Sequence, residues 1–241
     1  MSTVRAVDAH CHLNLFEDPL GEMALAMNSG IECAITCGGS LKDSVAAASL
    51  TRLNGVYAAV GIDPSFASEW KASASEIDKI AKQKSIVAIG EIGLDYKMDL
   101  AQNTIELQRK VFAEQIKLAS ELSLPVVVHA RGAMKEVLGV LDNEHAERVM
   151  LHYFDGGVDE ALEAQNRGYI ISVPPFKSKN RSAAIEAVSI DSLVCETDAP
   201  VVGKHVSDVL ASAQIIAGIK AMSVEDVAAT TGRNAKLFFG I

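Results

Sequence analysis

The chain has 241 residues, of which 49% are hydrophobic and 22% are charged, and it carries a formal net charge of −9. This composition is that of a globular protein, and a single α/β barrel domain often reaches this length, so we expect one domain over residues 1–241. The negative charge works against loose, non-specific binding to nucleic acid, but it permits a nucleic-acid substrate that is held by local positive charge.

No early segment joins a basic start to an apolar run and a small-residue cleavage site, and polar residues interrupt each apolar run well before about 18 positions. We therefore expect neither a signal peptide nor a membrane span. The composition predicts a cytoplasmic protein that does not contact membranes, and a monomer is the simplest expectation.

Eight short apolar runs are predicted to be β-strands, and the longer segments between them are predicted to be helices. Most of the runs are continuous rather than alternating, which is typical of parallel strands covered on both faces. A doubly wound open sheet and a closed barrel both fit this order. The strand count and the site residues below favour an α/β fold with a single (β/α)₈ TIM barrel. The predicted strands are residues 4–12, 31–37, 56–62, 86–92, 125–129, 149–152, 169–173 and 193–197.

Two helices show further sequence signals. Apolar residues in 104–122 fall on one helical stripe, and Asn103 with Glu106 makes a predicted N-terminal cap. Ser223 and Asp226 repeat the capping pattern before the last predicted helix.

The four cysteines, Cys11, Cys33, Cys37 and Cys195, form no pattern typical of a disulfide framework in a chain of this size. Cys33 and Cys37 are close enough in sequence to suggest a metal site, but no second pair of Cys or His residues follows nearby. We expect buried thiols in the core or at strand ends, because free cysteine packs as a small hydrophobic residue.

Four of the six histidines lie at the ends of predicted strands. His10 and His12 end the first strand as His-Cys-His, and residues two apart project from the same face of a strand. Both imidazoles can therefore reach one metal ion while Cys11 points the other way. His129 ends the fifth predicted strand, and His152 ends the sixth.

Two carboxylates occupy the same kind of position, Glu91 near the end of the fourth strand and Asp198 at the end of the eighth. In a barrel the carboxyl ends of the strands converge on one rim, where active sites lie. Imidazole and carboxylate ligands together suit zinc, other transition metals or manganese. The six residues therefore predict a metal centre.

Each of these residues alone has a simpler interpretation. A histidine at a strand end is usually a hydrogen-bonded polar residue, Glu91 could be a rim carboxylate, and Asp198 could be the N-cap of a helix. The metal centre is favoured because six such residues on five strands would otherwise converge by coincidence. His145 and His205 fall in helical or loop contexts and are expected on the surface.

Five segments of the sequence resemble the TatD family of metal-dependent deoxyribonucleases, within the amidohydrolase superfamily. The resemblance runs from residue 4 to the C-terminus and keeps the order of the motifs. The segments are Val7-Asp-Ala-His-Cys-His-Leu13, Ile89-Gly-Glu-Ile-Gly-Leu-Asp-Tyr96, Leu124-Pro-Val-Val-Val-His-Ala-Arg131, Leu151-His-Tyr-Phe-Asp-Gly156 and Glu196-Thr-Asp-Ala-Pro200.

The resemblance implies a barrel that holds up to two divalent ions, Mg, Mn or Zn, and hydrolyses DNA phosphodiesters from a strand end. By carry-over, one ion would be held by His10, His12, Glu91 and Asp198. The other would be held by Glu91, His129 and His152, so that Glu91 bridges the two. With Glu91 at the bridge, Asp198 is the candidate to accept a proton from the attacking water; the alternative is that Asp198 is only a ligand.

Further residues are candidates for substrate contact. Arg131 shares the strand face of His129 and could grip a phosphate, or form only a salt bridge on the rim. Lys177, Lys179 and Arg181 follow the seventh strand and could attract phosphate, or be simply solvated. Tyr96 and Phe154 could stack on bases, although packing is the more usual role for each.

The chain departs from the family pattern on the substrate side. The family usually has Gly-x-His-Pro after the third strand, where this chain has Gly61-Ile-Asp63-Pro64, and Asp63 would repel a nearby phosphate. The loop after Asp198 is also shorter than in the family. These departures leave two alternatives to a nuclease: a hydrolase of a small phosphoester, ester or amide at the same centre, or a non-catalytic accessory subunit that keeps the barrel.

Overall fold

The structure is a computed structural model that describes residues 5–97 and 101–241. Over these residues eight parallel strands form one sheet in which neighbours in sequence are neighbours in space. Val4, at the start of the first predicted strand, lies outside the described residues. The strands are β1 Ala6–Cys11, β2 Ile31–Cys37, β3 Val56–Val60, β4 Ile86–Asp95, β5 Val126–Arg131, β6 Val149–Leu151, β7 Ile170–Val173 and β8 Leu193–Cys195.

The sheet closes on itself where β1 meets the segment that follows β8. The N–H of Asp198 donates to the carbonyl of His10 at 2.9 Å, and the N–H of His12 donates to the carbonyl of Ala199 at 2.7 Å. The side chain of Asp8 adds a further link, because it accepts from the N–H of Thr197 at 2.9 Å. The (β/α)₈ barrel predicted from the sequence is therefore confirmed over the described residues.

Helices follow the strands and cover the outside of the barrel. The helix between β4 and β5 runs over Ala101–Leu122, so Asn103 lies inside it and is not its N-cap, contrary to our expectation. Ser223 does cap the last helix, with its hydroxyl accepting from Asp226 N at 3.0 Å. The helices are α1 Pro19–Asn28, α2 Leu41–Leu50, α3 Trp70–Ala81, α4 Ala101–Leu122, α5 Met134–Asn143, α6 Val158–Asn166, α7 Lys179–Ala187, α8 Val209–Lys220 and α9 Val224–Phe239.

The inside of the barrel is a packed core. Small and branched side chains from the strands, among them Ala9, Ile35 and Val127, form one buried cluster with Phe238 and Phe239 of α9. Because α9 closes the end of the barrel where the strands begin, the open end is the one where the strands finish. No helix among the described residues is long and apolar enough to cross a bilayer.

Strand β4 is longer than predicted, because it continues three residues beyond Ile92 to Asp95. Glu91 therefore lies inside the strand rather than near its end. Gly90 and Gly93 flank it where β4 runs closest to β5: a Cβ atom at Gly90 would lie 2.6 Å from the Cβ atom of Val127, and one at Gly93 would overlap the carbonyl of His129. The two glycines allow this close approach.

Candidate metal centre

The six predicted metal ligands come together at the open end of the barrel. They lie on or shortly after β1, β4, β5, β6 and β8. The barrel thus brings together residues that are far apart in sequence: Asp198 comes 188 positions after His10. Potential ligand atoms fall into three overlapping groups, within each of which all atoms lie within 4.8 Å of one another. The groups are His10, His152 and Asp198; His10, His12 and Glu91; and Glu91, His129 and His152.

The first set of atoms has the spacing of a tetrahedral metal site. Nε2 of His10 and Nε2 of His12 lie 3.3 Å apart. Oδ1 of Asp198 lies 3.4 and 3.1 Å from these nitrogens, and Oε2 of Glu91 lies 3.6 and 3.7 Å from them. A tetrahedral ion bound at about 2.0–2.2 Å requires ligand atoms about 3.3–3.6 Å apart. The residues therefore fit a divalent ion at this position.

A buried carboxylate oxygen supports the same conclusion. Among the described residues, Oδ1 of Asp198 has no hydrogen-bond partner of good geometry, although His12 Nε2 is within ion-pair distance of it. A buried polar atom without a partner is costly. A cation bound beside Asp198 would satisfy its carboxylate.

The second set is centred on the other oxygen of Glu91. Oε1 of Glu91 lies 2.8 Å from Nδ1 of His129 and 3.5 Å from Nε2 of His152. The ring of His152 also stacks on that of His10, with centroids 3.6 Å apart. Each oxygen of Glu91 thus faces a different pair of histidines, an arrangement that suits a bridging carboxylate.

Partners on the outer side of the histidine rings fix their orientation. Nδ1 of His12 lies 2.9 Å from the carbonyl of Cys37, and Nδ1 of His152 lies 2.8 Å from Oε2 of Glu196. Since carbonyl and carboxylate oxygens only accept, these nitrogens carry the protons and leave Nε2 to face the centre. The second nitrogen of His129 lies 3.1 Å from Oδ2 of Asp95 in the same way.

Glu196 and Asp95 were not among the site residues predicted from the sequence. Both residues lie in the motifs quoted above, Glu196-Thr-Asp198 and Gly90-Glu-Ile-Gly-Leu-Asp95. The sequence alone does not distinguish an acidic residue that binds a metal ion from one that hydrogen-bonds to a metal-binding histidine. Glu196 is fully buried and also accepts from Ser172 Oγ at 2.6 Å. Its contacts explain why an acid is needed there.

Burial and neighbouring charges shift the pKa values of the histidines in different directions. Burial lowers the pKa of His10, and the nearby His152 lowers it further. Burial alone would also lower the pKa of His129, but its carboxylate partners Asp95 and Glu91 outweigh this and raise it to about 10. In His152 the carboxylates of Glu196 and Glu91 likewise outweigh burial and raise the pKa to about 9. Without a bound cation these two imidazoles are therefore protonated at neutral pH.

The two carboxylates respond in the opposite direction. Burial alone would raise the pKa of Glu91, but His152, His129 and His10 hold it well below its usual range. His10 and His12 do the same for Asp198. Both carboxylates are therefore ionised, as metal ligands must be.

A cavity of about 530 Å³ opens above the centre. Asp63 and Arg131 line it together with five of the six predicted ligands, all except His10. Arg131 is 65% exposed at its side chain, and its nearest carboxylate oxygen is that of Asp95 at 3.8 Å. Lys177 is exposed on the loop between β7 and α7 and is not among the described residues that line the cavity.

Several other expectations are corrected or confirmed. Arg181 is not a free surface cation: it is buried and donates through Nε to the carbonyl of Phe154 at 2.6 Å. Phe154 lies in the core and cannot stack on a substrate, whereas Tyr153, which was not a predicted site residue, lines the cavity. No helix starts at Asp198, so it is not an N-cap.

The remaining residues behave as expected. His145 and His205 are exposed. The four cysteines are free and buried, and Cys11 faces away from the centre towards the carbonyl of Ile35. Tyr96 is half-buried and accepts a hydrogen bond from Arg109 Nε at 3.1 Å.

Comparison with known proteins agrees with this geometry. Deoxyribonuclease TATDN3 of Homo sapiens is 39% identical over 64% of this chain, and the alignment spans 60% of the human protein. The 3'-5' ssDNA/RNA exonuclease TatD of Cronobacter sakazakii is 33% identical over 77% of this chain and 73% of that protein. The crystal structure of YJJV, a TatD homologue from Escherichia coli K12, has the same fold, with a TM-score of 0.88 at 23% identity and 99% coverage of both chains. The family model of the TatD related DNases matches residues 7–240, and the chain therefore belongs to that family.

Proposed function

We propose that this protein is a metal-dependent nuclease that releases nucleotides from DNA strand ends, using two divalent ions, Mg, Mn or Zn. The observation that carries the proposal is the shared carboxylate of Glu91, whose two oxygens face His10 and His12 on one side and His129 and His152 on the other. The relative from Cronobacter sakazakii, named as an exonuclease of single-stranded DNA and RNA, supports a nucleic-acid substrate.

The ions would hold the substrate phosphate, offset its charge and make a water molecule more acidic. Asp198 accepts the proton of the attacking water, because its carboxylate lies beside the centre and is ionised there. As the water oxygen bonds to phosphorus, the bond to the leaving oxygen breaks, and that oxygen takes up a proton from solvent water. Arg131 lies on the same rim and binds phosphate oxygens from the open side of the cavity.

Two other functions remain as alternatives. One is hydrolysis of a small phosphoester, ester or amide at this centre, and the other is an accessory role without catalysis. The convergence of all six ligand side chains on one cavity favours catalysis over the accessory role. A cytoplasmic location, a monomeric state and a single domain over residues 1–241 are proposed from the sequence alone.

The direct test is release of nucleotides from single-stranded and nicked duplex DNA, with Mg²⁺, Mn²⁺, Zn²⁺ or a chelator. We expect metal-dependent release that is lost in Asp198→Asn, because the amide cannot accept the proton. Glu91→Ala removes the bridge and is expected to abolish turnover while the protein stays folded.

Two outcomes would contradict the proposal. If protein shown to contain its metals releases no nucleotide, the substrate is not a nucleic acid. If well-folded Glu91→Ala retains normal activity, the centre is not the active site.

A further inference from the structure

The walls of the cavity above the metal centre carry unlike charges. Arg131, the last residue of β5, lines one side. Asp155, in the loop after β6, also lines the cavity, and its Oδ1 lies 3.8 Å from Arg181. On the side formed by the loops after β2 and β3, the charged lining residues among those described are two carboxylates, Asp43 and Asp63. Neither has a Lys or Arg partner within ion-pair distance in the described part of the chain. The negative charges of Asp43 and Asp63 on this wall, which we call the acidic wall, are therefore not neutralised by a basic side chain.

Local hydrogen bonds hold both carboxylates in place. Asp43, in the first turn of α2, accepts from Ser40 Oγ at 2.6 Å. Asp63 accepts from Ser65 N at 2.6 Å, and its own N–H donates to the carbonyl of Gly39 at 2.8 Å, which joins the two loops. Each carboxylate lies near the N-terminal end of a helical segment, where negative charge is favoured. The acidic wall is therefore fixed by the fold.

Apolar side chains stand beside this wall at the mouth of the cavity. Leu15 is 49% exposed, Phe66 is 38% exposed and Val201 is 62% exposed, and all three line the cavity. Exposed apolar groups around a concave polar site are typical of ligand pockets. A nucleobase has an apolar face that such side chains can cover, and an aromatic ring such as that of Phe66 can stack on it.

We propose that the cavity selects strand ends that carry a terminal hydroxyl group and rejects ends that carry a terminal phosphate. The inference rests on the proposed nuclease function and deepens it by naming the class of end. The scissile phosphate lies towards the metal centre and Arg131, and the terminal sugar lies against Asp43 and Asp63 with its base at the apolar mouth.

The chemistry of the two kinds of end decides the selection. An ionised carboxylate only accepts hydrogen bonds, so a terminal hydroxyl can donate to Asp43 or Asp63. A terminal phosphate carries about −1.5 to −2 charges at neutral pH and offers acceptor oxygens only. It therefore gains no hydrogen bond from this wall and is repelled by both carboxylates, whereas the single charge of the scissile phosphodiester is met by cationic groups.

The test uses four versions of one single-stranded DNA oligonucleotide, with hydroxyl or phosphate at the 5' end and at the 3' end. With metal-loaded protein at pH 8 and low salt, we expect kcat/KM to fall at least about tenfold when the end that is digested carries a phosphate. Phosphate at the other end should have no such effect. Because charge repulsion is screened by salt, the difference should shrink as ionic strength rises.

Three variants locate the effect. Asp63→Asn and Asp43→Asn each keep an oxygen that can accept the capping hydrogen bond. Each should reduce the ratio of kcat/KM between hydroxyl and phosphate ends severalfold, mainly by speeding digestion of the phosphate-bearing end. Asp191→Asn is the matched control, because Asp191 is exposed at the opposite end of the barrel, before β8, and pairs with Arg233 at 3.2 Å. It should leave both rates unchanged. Circular dichroism and thermal denaturation establish that each variant is folded.

The outcomes separate this inference from the function on which it rests. Equal rates on both kinds of end, or faster digestion of phosphate-bearing ends, would overturn the selection and leave the nuclease intact. Unchanged discrimination in both Asp63→Asn and Asp43→Asn would overturn the role of the acidic wall. No digestion of any of the four oligonucleotides by metal-loaded protein would overturn the nuclease function, and the selection with it.

Discussion

The imidazole of His152 has two nitrogen atoms that face different partners. Nε2 points to the centre, and Nδ1 lies 2.8 Å from the carboxylate of Glu196. Glu196 is fully buried and also accepts from Tyr153 N at 2.8 Å, so its position is fixed on two sides. Such a partner selects the tautomer of a metal-binding histidine and raises its basicity. Glu196 is therefore a positioning residue that acts through His152.

Glu196→Gln is expected to weaken metal binding about 10–100-fold with little change in shape, because the amide is a poorer acceptor and its NH₂ group opposes Nδ1–H. Titration of chelated protein with Zn²⁺ or Mn²⁺, followed by calorimetry, measures the affinity. Glu147→Gln, an exposed substitution in the loop before β6, is the matched control. Unchanged metal affinity in Glu196→Gln would show that Glu196 serves only to fill the core.

Arg131 belongs to the substrate side of the same cavity. Its side chain is 65% exposed and lies 3.8 Å from Asp95, which is too far for a hydrogen bond to hold it. Arg131→Ala should therefore raise KM for DNA between about tenfold and a hundredfold, the loss of one charge-assisted hydrogen bond to phosphate. The metal content, measured by mass spectrometry, should not change. A matching loss of metal would mean that Arg131 supports Asp95 and His129 instead.

At the scale of the elements, the order of strands and helices could be predicted well from the sequence, and their ends less well. Strand β2 has the predicted bounds because its apolar run is bordered by glycine on both sides. Strand β4 was predicted too short, since its extension to Asp95 depends on pairing with β5. The partners of the histidines were missed for the same reason: contacts between residues such as His152 and Glu196 exist only after the barrel has closed.

The pairing of β4 with β5 gives a prediction about Gly93. Its φ is +142°, and a Cβ atom there would overlap the carbonyl of His129. Gly93→Ala should lower the free energy of unfolding by at least about 2 kcal/mol and displace His129 from the centre. Thermal denaturation and metal titration measure the two effects.

Gly139 provides the matched control. It is exposed within α5, and a Cβ atom there would meet nothing within 4 Å. Gly139→Ala should stabilise the protein by about 0.5–1 kcal/mol, because alanine loses less backbone entropy in a helix. If both substitutions had the same effect, the close approach of β4 to β5 would not be what requires glycine at position 93.

At the scale of the whole molecule, metal binding and folding are coupled. The six ligand side chains come from strands spread around the barrel, so an ion that binds them binds only the folded chain. An ion at about 100 times its dissociation constant stabilises the native state by about 2.7 kcal/mol. For a chain of this size that corresponds to a rise in Tm of about 5–10 °C. Removal of metal with a chelator should lower Tm by this amount.

The size of this change should depend on pH, because protons and metal compete for the same imidazoles. The pKa values of His129 and His152, about 10 and about 9, lie above the unfolded value of about 6.5. In metal-free protein the resulting stabilisation is complete below about pH 6.5 and is lost as pH rises through these two values. Over the same interval metal binding displaces fewer protons and becomes tighter. The difference in Tm between metal-loaded and chelated protein should therefore grow from pH 6.5 to pH 9.

Thermal denaturation at pH 6.5, 7.5 and 8.5, with metal and with chelator, measures this difference. His129→Gln removes one ligand and one titrating group, and should reduce both the difference in Tm and its dependence on pH. His205→Gln changes an exposed histidine that contacts Glu22 outside the centre and should alter neither. A difference in Tm that stays constant across this range would show that His129 and His152 are already neutral in the metal-free protein, and that the carboxylates of Asp95, Glu91 and Glu196 do not hold their protons.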